Sequence, residues 1–402
     1  MNKTITAPRG FKAAGAHVGI KKSKKDLSII QCDVPATAAA CFTQNLVKAA
    51  PVARDMAIID AKRPVRAVVI NSGNANACTG KQGMRDCEAM AATLAELTKC
   101  KPDEVLVCST GVIGQYLPMQ CIIPGIASAH ELLGDGEQSA QDACLGIMTT
   151  DTYQKHAYEE IKIADTTVKI AGMCKGSGMI HPNMATLLSF ITTDANISGD
   201  MLQKALSCVV RDTYNMISVD RDTSTNDTII ALSSCLAGNA IINGESEEYY
   251  KFLSALGRIN QSLAKEITRD GEGATKLIEI DLRGAKSDDQ ARALARSVCS
   301  SNLFKAALFG ADANCGRVLC AMGNSGEGFD LAKVKIAFTS ERGSIDVYVG
   351  DPIHFDEEVA NAILSEREVK VTINLNEGEY NAKAWGCDLT YDYVRINGSY
   401  RS

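Results

Sequence analysis

KGSGMIHPNMATLL, residues 175–188, crowds glycine, serine, proline and asparagine into a few positions and then turns abruptly into an apolar run. Glycine tolerates positive φ and proline fixes φ near about −65°, so Gly176, Gly178 and Pro182 allow or impose unusual backbone geometry. Thr186 stands at the junction, preceded by the small Ala185. A hydroxyl at the start of a buried strand, fed by a strained loop, is placed to attack its own preceding carbonyl. If the Ala185–Thr186 bond is cut in that way, Thr186 becomes a new N-terminus. Its freed α-amine is then a base beside its own hydroxyl, the arrangement of N-terminal threonine nucleophiles. The plain alternative is an ordinary turn followed by a β-branched strand residue facing the core, and spacing alone does not separate the two.

Length and composition bound the remaining possibilities. At 402 residues the chain is too long for one simple core and suggests two or three domains. Hydrophobic residues at 46% and charged residues at 22% describe an ordinary globular protein. A net charge of −6 argues against nucleic acid or anionic membrane as the main partner. The one dense basic run, KKSKK at 21–25, reads as a solvated loop. Fifteen scattered cysteines without a C-x-x-C pair fit buried free thiols in a reducing compartment. The five histidines (17, 130, 156, 181 and 354) lack metal-ligand spacing, so no metal is expected, and with no G-x-G-x-x-G opening a helix no dinucleotide cofactor is expected either. The N-terminus lacks the apolar core of a signal peptide, which points to the cytoplasm.

Strands and helices alternate, which places the chain in the mixed α/β class. RAVVIN (66–71) and EVLVCS (104–109) read as buried strands separated by a helix near 82–99, and further helices are expected near 122–132 and 138–148. Residues 157–174 read as a hairpin around Asp165. Thr186 is expected to open the strand TLLSFITTDA. A helix near 199–213, the strand TIIALSSC (228–235) and helices near 247–268 and 287–300 follow. The last third reads as two hairpins, AKVKIAFTS with SIDVYVG, and EVKVTINLN (368–376) with NAKAWGCDL (381–389) around Glu377–Gly378–Glu379.

The chain resembles the ornithine acetyltransferase, or bifunctional glutamate N-acetyltransferase, family along nearly its whole length. The resemblance rests on APRGF at 7–11, FTQN at 42–45, NSGNANACTG at 71–80, STGVIG at 109–114 and KGSGMIHPNMATLL at 175–188. It continues through DTSTNDT at 222–228, DGEGATK at 270–276, GADANCGR at 310–317 and the terminal YVRINGSYRS, in the same order. It implies an α/β N-terminal-nucleophile acyltransferase fold. Its two fragments, an alpha chain 1–185 and a beta chain 186–402, would stay intertwined after self-cleavage. It also implies that Thr186 carries the acetyl group from N-acetylornithine to glutamate in a ping-pong cycle of arginine biosynthesis. The assembly implied is a heterotetramer of two alpha and two beta chains. Whether acetyl-CoA is a second donor is left open.

Acyl transfer needs a nucleophile, a base, an oxyanion stabiliser and a handle for the substrate. Thr186 supplies the first two. Thr110 and Gly111, on a turn leaving a strand, match the family's oxyanion pair, although a Thr-Gly turn is by itself commonplace. An amino acid's carboxylate wants a cation and its amine an anion, and Lys175 and Glu272, each in a glycine-rich loop, are suited to these roles. By resemblance the substrate contacts are Thr152, Lys175, Thr186, Glu272, Asn397 and Ser402. Ser402 stands where the family more often has Thr, and a hydroxyl is retained. Two other departures are Arg221, in Asp220-Arg221-Asp222 where a glycine is usual, and Cys315 in place of a usual Trp. Cys174 and Ser177 are competing nucleophiles, but neither has a histidine in a recognisable motif. A hydrolase that passes the acyl group to water, and an amino-acid-binding protein that never cleaves itself, would use the same positions.

Overall fold

The computed structural model describes residues 2–181 and 187–398, so Ala185, Thr186 and Ser402 lie outside the described residues. The chain forms two compact units. The first draws on Met1–Gly176, Asn183–Arg211 and Thr223–Leu263, the second on Ser177–Pro182, Asp212–Asp222 and Ala264–Ser402. Each unit therefore takes residues from both sides of the Ala185–Thr186 position.

In chain order the strands are β1 (Phe11–Ala16), β2 (Leu27–Phe42), β3 (Val65–Asn74), β4 (Val105–Val112), β5 (Lys155–Ile163), β6 (Thr166–Lys175) and β7 (Leu188–Thr193). They continue with β8 (Ile217–Ser218), β9 (Thr228–Ser233), β10 (Leu277–Ala285), β11 (Lys335–Ser340), β12 (Gly343–Val349), β13 (Glu368–Asn374) and β14 (Tyr380–Cys387). Strands and helices are mixed in both units, and the expected α/β class holds.

The first unit carries one mixed sheet in the order β4-β3-β2-β9-β7-β6-β5, with β1 paired to β2. The long β2 runs beside β1 and β3 over its first half. After a register shift between Gln31 and Ala36 it pairs with β9. β7 lies between β6 and β9 with all six residues buried, which explains an apolar run too continuous for a strand with one wet face. Leu188, Phe190 and Ile191 are each about 1% exposed, and burying each stabilises the unit by about 2 kcal/mol. The polar members of β7 are hydrogen-bonded: the Thr192 hydroxyl donates to the Ile5 carbonyl at 2.6 Å and that of Thr193 to the Lys169 carbonyl at 2.8 Å.

The helix Glu137–Ile147 lies directly on β1 and β2, close enough that two glycines are required at the contact. A Cβ on Gly15 would strike the backbone of Asp142, and one on Gly146 would strike the Ser28 hydroxyl and the Leu27 carbonyl. Ser28 in turn donates to the Ala143 carbonyl at 2.7 Å, so the polar atoms at this close approach are paired. This packing fixes the end of the helix and hence the start of the segment 148–152.

The second unit carries a sheet in the order β12-β11-β13-β10-β14-β8. The expected hairpins at Lys155–Lys175 and Lys335–Val349 form, as β5 with β6 and β11 with β12. The third expected hairpin does not. β10 inserts between the two runs, parallel to β13 and antiparallel to β14. The turn residues Glu377 and Gly378 instead cross the end of β10, both backbone amides donating to the Gly284 carbonyl at 2.9 Å. The helix Asp288–Cys299 covers this sheet, started by Ser287, whose side chain accepts from the Gln290 amide.

Candidate functional site

The Thr110–Gly111 turn closes the end of β4 against β3, with Ser72 opposite Thr110 and Gly73 opposite Gly111. Gly111 has φ +130°, a conformation that favours glycine, and the space beside it is already filled. A Cβ there would stand 2.6 Å from the Asn74 nitrogen and 2.7 Å from the Gly73 Cα. Buried amides and hydroxyls hold the turn. Asn71 donates to the Asn74 carbonyl at 2.8 Å and accepts from the Ser109 hydroxyl at 2.6 Å. Asn226 donates to the carbonyls of Ala75 at 2.6 Å and Ser109 at 2.8 Å. The blocks NSGNANACTG, STGVIG and DTSTNDT thus meet around one turn. A half-buried Thr hydroxyl beside a glycine whose backbone cannot be displaced is an arrangement that can present donors to a developing negative charge.

The same unit holds Lys175 and Thr152. Lys175 ends β6 and is buried, whereas Thr152 is exposed. Immediately before Thr152 stands a residue that sequence reasoning missed, Asp151. Its carboxylate accepts from Lys155 Nζ at 2.7 Å, the Gly176 amide at 2.8 Å and the Thr149 amide at 3.0 Å. Burial alone would push its pKa up. The ammoniums of Lys155 and Lys175, with the hydrogen bonds from Lys155 and Gly176, overcome that and hold it at about 2. The signal in the sequence was an Asp and a Lys four apart in a segment too short for a helix.

The basic loop at 21–25 is only partly the solvated run that its composition suggests. Asp26, fully buried, accepts from the backbone amides of Val18, Gly19, Ile20 and Lys21 at 2.7 to 3.2 Å, which winds the loop around it. Lys22, Ser23 and Lys24 are exposed. Lys21 turns inward, lies beside Gly73 and donates to the Met148 carbonyl at 2.6 Å. Burial, with the repulsion of Lys175 and Lys24, outweighs the attraction of Asp26 and brings its pKa down to about 8.

The second unit holds Glu272 and Asn397. Glu272 is buried, its amide donates to the Ser177 carbonyl at 3.0 Å, and its carboxylate accepts from Asn397 Nδ2 at 2.7 Å. The helix Tyr391–Gly398 brings Asn397 there, so a residue near the chain end is held against Glu272. Two glycines make the fit possible. A Cβ on Gly178 would collide with the Glu272 carboxylate, and one on Gly273, at φ +70°, would stand 2.6 Å from the Tyr393 nitrogen. The competing nucleophile Ser177 is spent: its buried hydroxyl donates to the Asp270 carbonyl at 2.6 Å.

The segment Met179–His181 is pinned in this unit as well. Asp220 accepts from the amides of Met179 at 2.6 Å and Ile180 at 2.9 Å, and burial raises its pKa. His181 sits 3.0 Å from the Ser218 hydroxyl. Burial, and then repulsion from Arg296, Arg221 and Lys305, lower its pKa to about 4, so its imidazole is neutral at physiological pH. The unusual Arg221 adopts φ +70°, the conformation that explains why a glycine is usual there. Among the described residues no group of three or more His, Cys, Asp or Glu side chains is arranged to hold a metal. Nor is any described helix long and apolar enough to cross a membrane.

The ArgJ family model matches residues 12–402. The chain is 50% identical to arginine biosynthesis bifunctional protein ArgJ 1 of Clostridium acetobutylicum, covering 100% of this chain and 98% of that protein. It is also 50% identical to the bifunctional protein ArgJ of Thermotoga neapolitana, covering 98% of this chain and 99% of the relative. Among solved structures, the ornithine acetyltransferase of Mycobacterium tuberculosis complexed with ornithine is 42% identical. That match covers 46% of this chain and 96% of the other, with a TM-score of 0.42.

Proposed function

The chain belongs to the ArgJ family, and from that premise we propose that it transfers the acetyl group of N-acetylornithine to glutamate in arginine biosynthesis. The observation that carries this reading is the match over residues 12–402, joined to relatives at 50% identity over 98% and 99% of their length. In this reading the precursor first cuts itself. The Thr186 hydroxyl attacks the Ala185 carbonyl, the peptide C–N bond breaks to leave an ester, and water hydrolyses that ester. Thr186 then begins the second fragment with a free α-amine whose pKa, at about 7.7–8.0, leaves an appreciable neutral fraction near physiological pH.

In the transfer itself the α-amine takes the hydroxyl proton as Thr186 Oγ attacks the acetyl carbonyl. Thr110 and Gly111 hold the oxyanion, the C–N bond to ornithine breaks, and the departing amine receives the proton. The acetyl group waits as an ester on Thr186 until the amine of glutamate collects it. Lys175 takes the substrate carboxylate, Glu272 with Asn397 takes the amine, and Thr152 and Ser402 contribute hydroxyls. The relatives' description as bifunctional supports a second activity, glutamate acetylation from acetyl-CoA, assayed without any acetylornithine. The reading includes a heterotetramer of two alpha and two beta chains in the cytoplasm, which light scattering and cell fractionation test.

Initial rates at several fixed glutamate concentrations test the mechanism. A covalent acetyl-enzyme gives parallel double-reciprocal lines, whereas intersecting lines require both substrates bound together. Acetate released faster than N-acetylglutamate would replace the transferase with a hydrolase.

A further inference from the structure

The proposed chemistry uses Thr152 and Lys175 but leaves unexplained the buried ion pair whose members flank Thr152 in sequence. Asp151 and Lys155 both have side chains with 0% exposure, and they meet at 2.7 Å. A buried pair of this kind contributes little net stability, because desolvating both charges offsets their attraction. Its hydrogen bonds indicate another role. Lys155 opens β5 opposite Cys174, the residue before Lys175. Asp151 reaches from the turn ahead of β5 to the Gly176 amide, the residue after Lys175. The two charged groups therefore bracket Lys175 from both sides. The near end of the segment is tied independently, since Met148 accepts from Lys21 Nζ at 2.6 Å. Lys155 Nζ also stands 5.0 Å from the centre of the Tyr153 ring, the neighbour of Thr152.

We propose that the Asp151–Lys155 pair is a positioning element, which sets Thr152 against Lys175 and fixes the first amide of the loop that leads to Thr186. The proposal rests on the transferase reading for its kinetic consequence, but its structural content stands apart from it. Asp151 touches no reacting atom in this account. Its carboxylate works through Gly176 and Lys155, and its depressed pKa keeps it charged throughout the working range of the enzyme.

The test uses the full chain with two variants. Asp151→Asn keeps the shape but removes the carboxylate that faces buried Lys155, so it is paired with the double variant Asp151→Asn/Lys155→Met, in which neither charge remains. Rates are normalised to cleaved chain. In the folded double variant the KM for N-acetylornithine rises about tenfold or more, the equivalent of one lost charge contact. In the same variant the Gly176 amide exchanges its hydrogen faster than in wild type. A merely structural role would lower the active fraction and leave KM and Gly176 exchange unchanged, and that result overturns the proposal. If wild type transfers no acetyl group, the transferase reading fails, and the exchange rate at Gly176 still decides the positioning claim.

Discussion

Replacing Gly111 with alanine is the sharpest test of the proposed oxyanion role of the Thr110–Gly111 turn. The new Cβ would stand 2.6 Å from the Asn74 nitrogen and 2.7 Å from the Gly73 Cα. Ordinary carbon contacts lie near about 3.5–4.0 Å, so β3 and β4 must part by about 1 Å at this point. No flexible side chain can move aside, because both neighbours are backbone. Alanine at φ +130° adds strain of about 1–3 kcal/mol. A displacement of about 1 Å at a positioned donor is enough to cost about 100-fold in rate, and loss of an oxyanion donor costs about 100- to 1,000-fold. Acetyl transfer from N-acetylornithine to glutamate and thermal unfolding are measured on the same preparation. The expected result is a fall of at least about 100-fold in kcat with a lowered Tm. Thr110→Ala separates the two effects, since it lowers kcat on a similar scale and leaves Tm nearly unchanged. A Gly111→Ala enzyme with wild-type kcat and Tm would refute the reasoning.

Three other perturbations follow from the geometry. Arg221→Gly relieves a left-handed residue worth about 1–2 kcal/mol and adds the flexibility of glycine, at about 0.5–1 kcal/mol. Urea unfolding should therefore show a net stabilisation of up to about 1 kcal/mol, and a destabilised variant would count against the strain. Gly178→Ala pushes the Glu272 carboxylate off its seat, so KM for the amino-acid substrates should rise about tenfold while Tm changes little; an unchanged KM would sink that expectation. Asp151 has its pKa lowered from 3.8 to about 2, so its stabilisation is present above about pH 4 and is lost as pH falls toward 2. The unfolding free-energy difference between wild type and Asp151→Asn should shrink by about 1 kcal/mol between pH 6 and pH 3. A difference that stays constant would mean that the carboxylate is not held ionised by its neighbours.

Local elements were legible in the sequence because their cause is local. Apolar recurrence at three-to-four spacing in Gly80–Thr98, and turn residues between the runs that form β5 and β6, report directly on the chain segment that carries them. The pairing of β13 and β14 was not legible. Their short connector reads as a tight turn, yet two strands with a third between them stand only about 10 Å apart, which a few extended residues span. β10, which fills the gap, lies far upstream in the chain, and its alternation LIEIDL carries no mark of its partners. The long β2 was unread for a related reason: its register shift breaks the period midway.

The site divides in the same way. Motif blocks pointed to Thr110, Gly111, Lys175, Glu272 and Asn397 individually. That Asn226 would hold the Ser109 and Ala75 carbonyls, or that Asp151 would capture the Gly176 amide, depends on tertiary proximity that spacing does not encode. Glycine was the most informative residue type. At 111, 178 and 273 its absence of a side chain is required by a neighbour from another segment, so a local oddity in the sequence reported a non-local contact.

The central claim is that Thr186 becomes an N-terminal nucleophile by cutting its own chain. Intact mass of the purified protein under denaturing conditions tests it most directly, with Thr186→Ala as the comparison. The account predicts two fragments, one ending at Ala185 and one beginning at Thr186, both absent from the variant. A single full-length chain that still transfers acetyl groups would contradict it.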